Sequence, residues 1–170
     1  IQGKREKKPH LNLGQCRREC KGIRKMTFKS TVKIELELLN EEDMRIGFGS
    51  QAMDDLVVAK TRIPKEERGG EARQLLAASL AECACSTLLF LLKWAKIDIK
   101  GFKATAEVIT DKGGDGSICV DSINLNIHVD APKDEEILKK LERAKALFNR
   151  GCLISRSLAR GIKTSWTIQT

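Results

Sequence analysis

Gln74–Leu75–Leu76–Ala77–Ala78–Ser79–Leu80–Ala81–Glu82–Cys83 is the stretch on which the reading of this chain turns. It lies in a run from Ala72 to Ala95 that is rich in Leu and Ala and apolar almost all round. Such a run predicts a helix buried on most of its faces. The segment from Gln74 to Leu92 is long enough to span a bilayer, but Glu82 sits near its centre. An acidic residue there costs about 2.5–3.5 kcal/mol on insertion scales, so a core helix is the better reading. A domain of this size rarely surrounds such a helix by itself, which predicts a partner subunit over part of it. Cys83 and Cys85, two positions apart, point about 200° away from each other on a helix of 3.6 residues per turn. Cys83 shares a stripe with Ser79, Ser86 and Thr87 and is the site candidate. Cys85 shares its side with Ala78, Leu88, Leu89 and Leu92 and reads as a core residue.

Moving toward the N-terminus, apolar and polar residues alternate from Val32 to Leu38, the period of a half-buried strand. Asn40–Glu41–Glu42–Asp43 breaks it; short strands follow at Arg45 to Gly49 and Leu56 to Thr61, and the three predict a meander. Pro64 and the run from Lys65 to Gly70 form a loop ahead of the helix. Moving toward the C-terminus, Phe102–Thr110 and Ile118–Val129 flank strong turn chemistry at 111–116 and predict a hairpin. Pro132 and Asp134 start an amphipathic helix from Glu135 to Asn149, with Ile137, Leu138, Leu141, Ala144, Leu147 and Phe148 inward, and Gly151 ends it. A short helix from Cys152 to about Arg160 and a last strand, Lys163 to Gln169, complete the order βββ-α-ββ-αα-β, an α+β fold. Cys152 at a helix start meets free N–H groups and the positive end of the dipole, which favours a thiolate there.

The 170 residues, 41% hydrophobic and 32% charged, suffice for one core and not for two typical domains. The net charge of +8 is concentrated: residues 1–25 hold nine Lys/Arg against Glu6 and Glu19, a net of +7, which leaves +1 for the other 145. The division is therefore a basic tail, 1–25, and a near-neutral domain, 26–170. The tail is expected to be a solvated arm with weak non-specific polyanion binding. Six cysteines without framework spacing or a secretory segment point to a reducing, cytoplasmic setting, with no membrane partner. His10, Cys16 and Cys20 offer three soft ligands where zinc prefers four, so no metal or cofactor is expected. Cys119 on its strand reads as packing and His128 as a surface or core residue. Gly47–Phe48–Gly49–Ser50–Gln51–Ala52 resembles a dinucleotide fingerprint, but strand-like Leu56–Ala59 follows where a helix is required.

The stretch from Gln74 to Cys83 and the segment Cys152–Leu153–Ile154–Ser155–Arg156–Ser157–Leu158 together resemble the OsmC/Ohr proteins, thiol-dependent peroxidases that reduce organic hydroperoxides. The first is similar to the family's Leu-Leu-Ala-Ala run leading to a cysteine, the second to its Cys-Pro-x-Ser segment, and the resemblance covers about 27–170. It implies an OsmC-like fold and an intertwined homodimer with long central helices wrapped by strands of both chains. It further implies a peroxidatic Cys83, a resolving Cys152 that forms a disulfide with it, and an activating arginine from the early strands, here Arg45. Ala72 and Arg73 stand where the family has Pro-Glu, whose Glu holds that arginine, and Leu153 stands for the proline. Glu71 or Glu67 then substitutes for the family Glu, or Arg73 is itself the cation.

The leading expectation is an organic hydroperoxide reductase recycled by an external dithiol, with Phe48 or Phe90 favouring alkyl substrates. The alternative is a non-enzymatic dimer of the same fold that binds a small apolar ligand or a partner.

Overall fold

The structure, a computed structural model, describes residues 30–169. The basic tail, with His10, Cys16 and Cys20, lies outside the described residues. Strands β1 (Glu35–Leu38), β2 (Met44–Gly47) and β3 (Leu56–Val58) form an antiparallel meander, and helix α1 (Glu71–Trp94) follows. Strands β4 (Gly101–Lys112) and β5 (Ile118–Asp130) make a long hairpin, and helices α2 (Glu135–Gly151) and α3 (Leu153–Leu158) come last. The α+β order stands for these elements. The expected final strand does not: Lys163–Gln169 has no regular structure, with Trp166 83% and Ile168 86% exposed. A strand needs a neighbouring edge for its backbone groups, and this segment meets none among the described residues.

The core forms where α1 and α2 cover one face of the hairpin. On β5, half-buried Ile123, Leu125, Ile127 and Val129 alternate with exposed Asn124, Asn126, His128 and Asp130, as in a sheet covered on one side. From α1 come Ala77, Leu80, Ala84, Leu88 and Leu92, spaced by three or four residues on one stripe. Their partners on α2 include Ile137, Leu141, Ala144 and Phe148, and Phe148 touches both core clusters. Leu138 and Leu147, expected inward, are instead exposed, because the face of α2 that meets the core runs through Ile137, Leu141, Ala144 and Phe148. Asp134 caps α2 by accepting the N–H of Ile137 at 2.9 Å. The C-terminus of α1 closes with the Ile97 N–H on the Leu92 carbonyl at 3.0 Å and Lys96 left-handed at φ 55°. Buried Ile97 packs on Leu92 in the same motif and turns the chain into the hairpin.

Helix α1 is less buried than its composition predicts. Ala78, Leu89, Phe90 and Trp94 are exposed, and only 28% of its most apolar window is buried. One hairpin with two helices covers one stripe of a cylinder and leaves the rest. By length and composition α1 would suit a membrane span, but its packed stripe and central Glu82 are those of a core helix. Cys85, expected in the core, is half-buried on a flank beside exposed Ala78 and Leu89. Burial and the nearby Glu82 carboxylate push its thiol pKa up.

The meander is built differently. Ile46 is its one buried hydrophobic residue among the described residues, and β1, expected to be half-buried, is exposed along its length, with Leu36 and Leu38 at 60% each. Nothing among the described residues is layered on that face. A polar staple holds the strands instead. Buried Asp43 accepts the Thr61 hydroxyl at 2.6 Å, the Thr61 N–H at 2.8 Å and the Asn40 amide at 2.8 Å. These bonds to the charged form lower its pKa to about 2. Arg68 pairs with Glu42 and ties the loop before α1 to the β1–β2 turn.

Candidate functional site

The two sequence-distant cysteines singled out above meet: Cys83 Sγ and Cys152 Sγ are 3.3 Å apart, both as free thiols. Helix α1 supplies Cys83, half-buried at the edge of its packed stripe. Cys152 is the single extended residue (φ −70°, ψ 115°) between α2 and α3, ending one helix and capping the next. Its sulfur accepts the N–H of Ser155 at 3.4 Å. Leu80, Ala84, Phe148, Ile154 and Leu158 pack around the pair. The hydroxyl of Thr87, one turn beyond Cys83, donates to the Cys83 carbonyl at 2.7 Å. A disulfide bond is about 2.05 Å long, so the sulfurs need close by only about 1.3 Å from 3.3 Å.

The electrostatics reverse one expectation. The helix start was to favour a thiolate at Cys152, yet burial pushes its pKa up, and contact with Cys83 adds to this. The Ser155 N–H pulls the other way without prevailing. Cys152 is 3% exposed, and the six-residue α3 has little dipole to offer against that desolvation.

Arg45 and Glu71 are not brought to the sulfurs within one chain. Arg45 lies on β2, where its guanidinium donates to Glu37 at 2.6 Å on the exposed meander. Glu71 is the first residue of α1, and twelve residues of helix, about 18 Å of rise, separate it from Cys83. Its carboxylate accepts the Gly69 N–H at 3.2 Å, and its own backbone N–H together with that of Gly69 lowers its pKa. Arg73 is also remote, on the Gly69 carbonyl at 3.1 Å. Phe48 lines a cleft on the meander with Arg45, and Phe90 is 68% exposed about two turns beyond Cys83. Sequence reasoning missed the Ser155 amide, and it turned Phe148 inward without placing it at the dithiol, since that placement depends on how α2 and α3 dock. Among the described residues no group of three His, Cys, Asp or Glu side chains is placed to hold a metal ion.

A cleft of about 360 Å³ combines apolar Leu76, Leu80, Val120, Ile123 and Leu158 with polar Asp121, Ser122 and Ser155, and shares Leu80, Ile123 and Leu158 with the cluster around the dithiol.

No curated protein matches this chain in sequence. Its fold is similar to that of an OsmC-like protein of unknown function from Vibrio cholerae O1, at 15% identity over 75% of this chain and 93% of that one, TM-score 0.59. A hypothetical protein from Aquifex aeolicus is similar at 16% identity over 78% and 89%, TM-score 0.58. An OsmC-like protein from Mycoplasma pneumoniae is similar at 20% identity over 76% and 88%, TM-score 0.54. Residues 65–167, which hold α1, the hairpin and both cysteines, match the sequence profile of the OsmC-like proteins. The chain belongs to the OsmC-like protein family.

Proposed function

We propose that this protein is a thiol-dependent peroxidase acting on organic hydroperoxides, with Cys83 as the attacking thiol and Cys152 as the resolving one. The observation that carries this reading is the 3.3 Å separation of two free thiols that stand 69 positions apart in the chain. Cys83 is the more accessible of the two, and Cys152, nearly inaccessible, is placed to react with whatever forms on its neighbour. The cleft that shares Leu80, Ile123 and Leu158 with the cluster around the dithiol offers an apolar wall to the alkyl or aryl group of a hydroperoxide.

The Cys83 thiolate attacks the terminal oxygen of the hydroperoxide; an S–O bond forms, the O–O bond breaks, and the alkoxide leaves as alcohol after taking a proton. Cys152 thiolate then attacks the sulfenic sulfur, forming the S–S bond and releasing hydroxide, which is protonated to water. The two electrons come from the two sulfurs, and an external dithiol restores them.

The same reading includes a homodimer. The exposed apolar residues of β1 and α1 and of the segment ending in Trp166 and Ile168 are surfaces one chain leaves open. In the dimer, Arg45 of a second copy supplies the cation beside Cys83, and Glu71 fixes the loop ahead of α1. The setting is cytoplasmic, where dithiol reductants are available.

The test is peptide mass spectrometry without reductant on reduced protein given one equivalent of cumene hydroperoxide. A Cys83–Cys152 linked peptide should form within seconds, and Cys83→Ser should lower peroxide consumption by at least a hundredfold. Unchanged thiols at both positions would leave the non-enzymatic binding dimer as the better account.

A further inference from the structure

Gly151, the last residue of α2, directly precedes Cys152, and a Cβ at this position would lie 2.6 Å from the Thr87 methyl carbon. Ordinary contact begins near 3.4 Å, so a side chain here requires a shift of about 0.8 Å between Gly151 and Thr87. Thr87 is poorly able to yield. It is β-branched, with few χ1 choices in a helix, and its hydroxyl is held on the Cys83 carbonyl at 2.7 Å. The residue facing Gly151 is thus bonded to one reactive cysteine's backbone, and Gly151 is covalently joined to the other.

We infer that Gly151 and Thr87 form a spacer that sets the distance between Cys83 and Cys152, and that they are positioning residues for disulfide closure. This deepens the reading under Proposed function, since it concerns the step that joins the two sulfurs. The spacing matters because the sulfurs stand only about 1.3 Å outside bonding distance. An added separation of 0.8 Å is a large fraction of that, and misplacements near 1 Å cost reacting groups up to about a hundredfold. Gly151 has an ordinary negative-φ helical place, so closeness to Thr87 is what demands glycine there.

The experiment needs no hydroperoxide. Reduced full-length protein is equilibrated with oxidised and reduced glutathione, and the Cys83–Cys152 disulfide is measured by peptide mass spectrometry. In the exchange the protein dithiol gives up two electrons and two protons to one oxidised glutathione, yielding the protein disulfide and two reduced glutathiones. Gly151→Ala should lower the equilibrium constant for disulfide formation at least tenfold. Combining it with Thr87→Ser, which removes the methyl and keeps the hydroxyl bond, should bring the constant back to within about threefold of the parent. Alkylation of Cys83 in a Cys152→Ser background reports on accessibility alone and should not follow the same order. If Gly151→Ala does not fold, Thr87→Ile, which crowds the contact from the other side, carries the same tenfold expectation. An unchanged constant in the crowded variant, or a double variant no better than Gly151→Ala, would overturn the inference. A parent protein that closes with glutathione but not with hydroperoxide would sink the peroxidase reading while leaving the spacer testable.

Discussion

The unit made of α1, the β4–β5 hairpin, α2 and α3 is held by apolar packing, whereas the β1–β2–β3 meander is held by hydrogen bonds and charge. In the first, stripes from two helices enclose Leu88, Leu92, Ile97 and Ala144 against the hairpin. In the second, Ile46 is buried, the Asp43 carboxylate accepts three hydrogen bonds, and a cleft of about 380 Å³ separates β3 from the first turns of α1. The dithiol belongs wholly to the packed unit. The contrast teaches that the two regions lose order by different routes, one through cavities and the other through protonation, and that a three-stranded meander with one bare face gains its stability from what adjoins it.

The sharpest way to break the comparison is Leu92→Ala. Leu92 is 1% exposed, and truncation of such a residue costs about 2–5 kcal/mol, which chemical denaturation of the whole protein would read as a lower midpoint. A midpoint unchanged by this substitution would mean that the packed unit is not what holds the fold. Acid should separate the regions next. Asp43 has a folded pKa of about 2 against an ordinary 3.8. Its contribution is therefore fully present above about pH 4 and is lost as pH falls toward 2. Hydrogen exchange should show the meander opening in that window while α1 and β5 stay protected. Asp43→Asn should flatten the pH dependence; equal loosening of both regions would remove the contrast. The smallest effect is expected on the bare face. Leu36→Lys, at a position 60% exposed in the single chain, should change monomer stability by no more than about 0.5 kcal/mol. Sedimentation should nevertheless show weakened association if a second copy covers β1, and an unaltered oligomeric state would place the interface elsewhere.

Much of the packed unit was legible in the sequence. Alternation on β5, the Asp134 cap and the spacing of Leu80, Ala84, Leu88 and Leu92 are local patterns with local causes. Both cysteines that the fold brings together were singled out in the sequence, Cys83 by its place beside small polar residues and Cys152 by its helix start. What failed depended on neighbours. The strand predicted at Lys163–Gln169 has the right residues and no edge to join. Cys85 and Leu138 have apolar helical settings and no layer to cover them. The acidity expected of Cys152 followed from the helix start, and burial, which depends on distant Phe148 and Leu80, outweighed it.

By itself the sequence determined the elements and their order, the hairpin, the caps and the two thiols, because periodicity, turn chemistry and capping act over a few residues. The tertiary structure decided which stripe of α1 is buried, how close Gly151 comes to Thr87, and that Cys83 and Cys152, 69 positions apart, stand at 3.3 Å. Those outcomes come from the docking of α1, α2 and α3 on the hairpin, where long-range packing chooses among faces that the local pattern leaves equivalent.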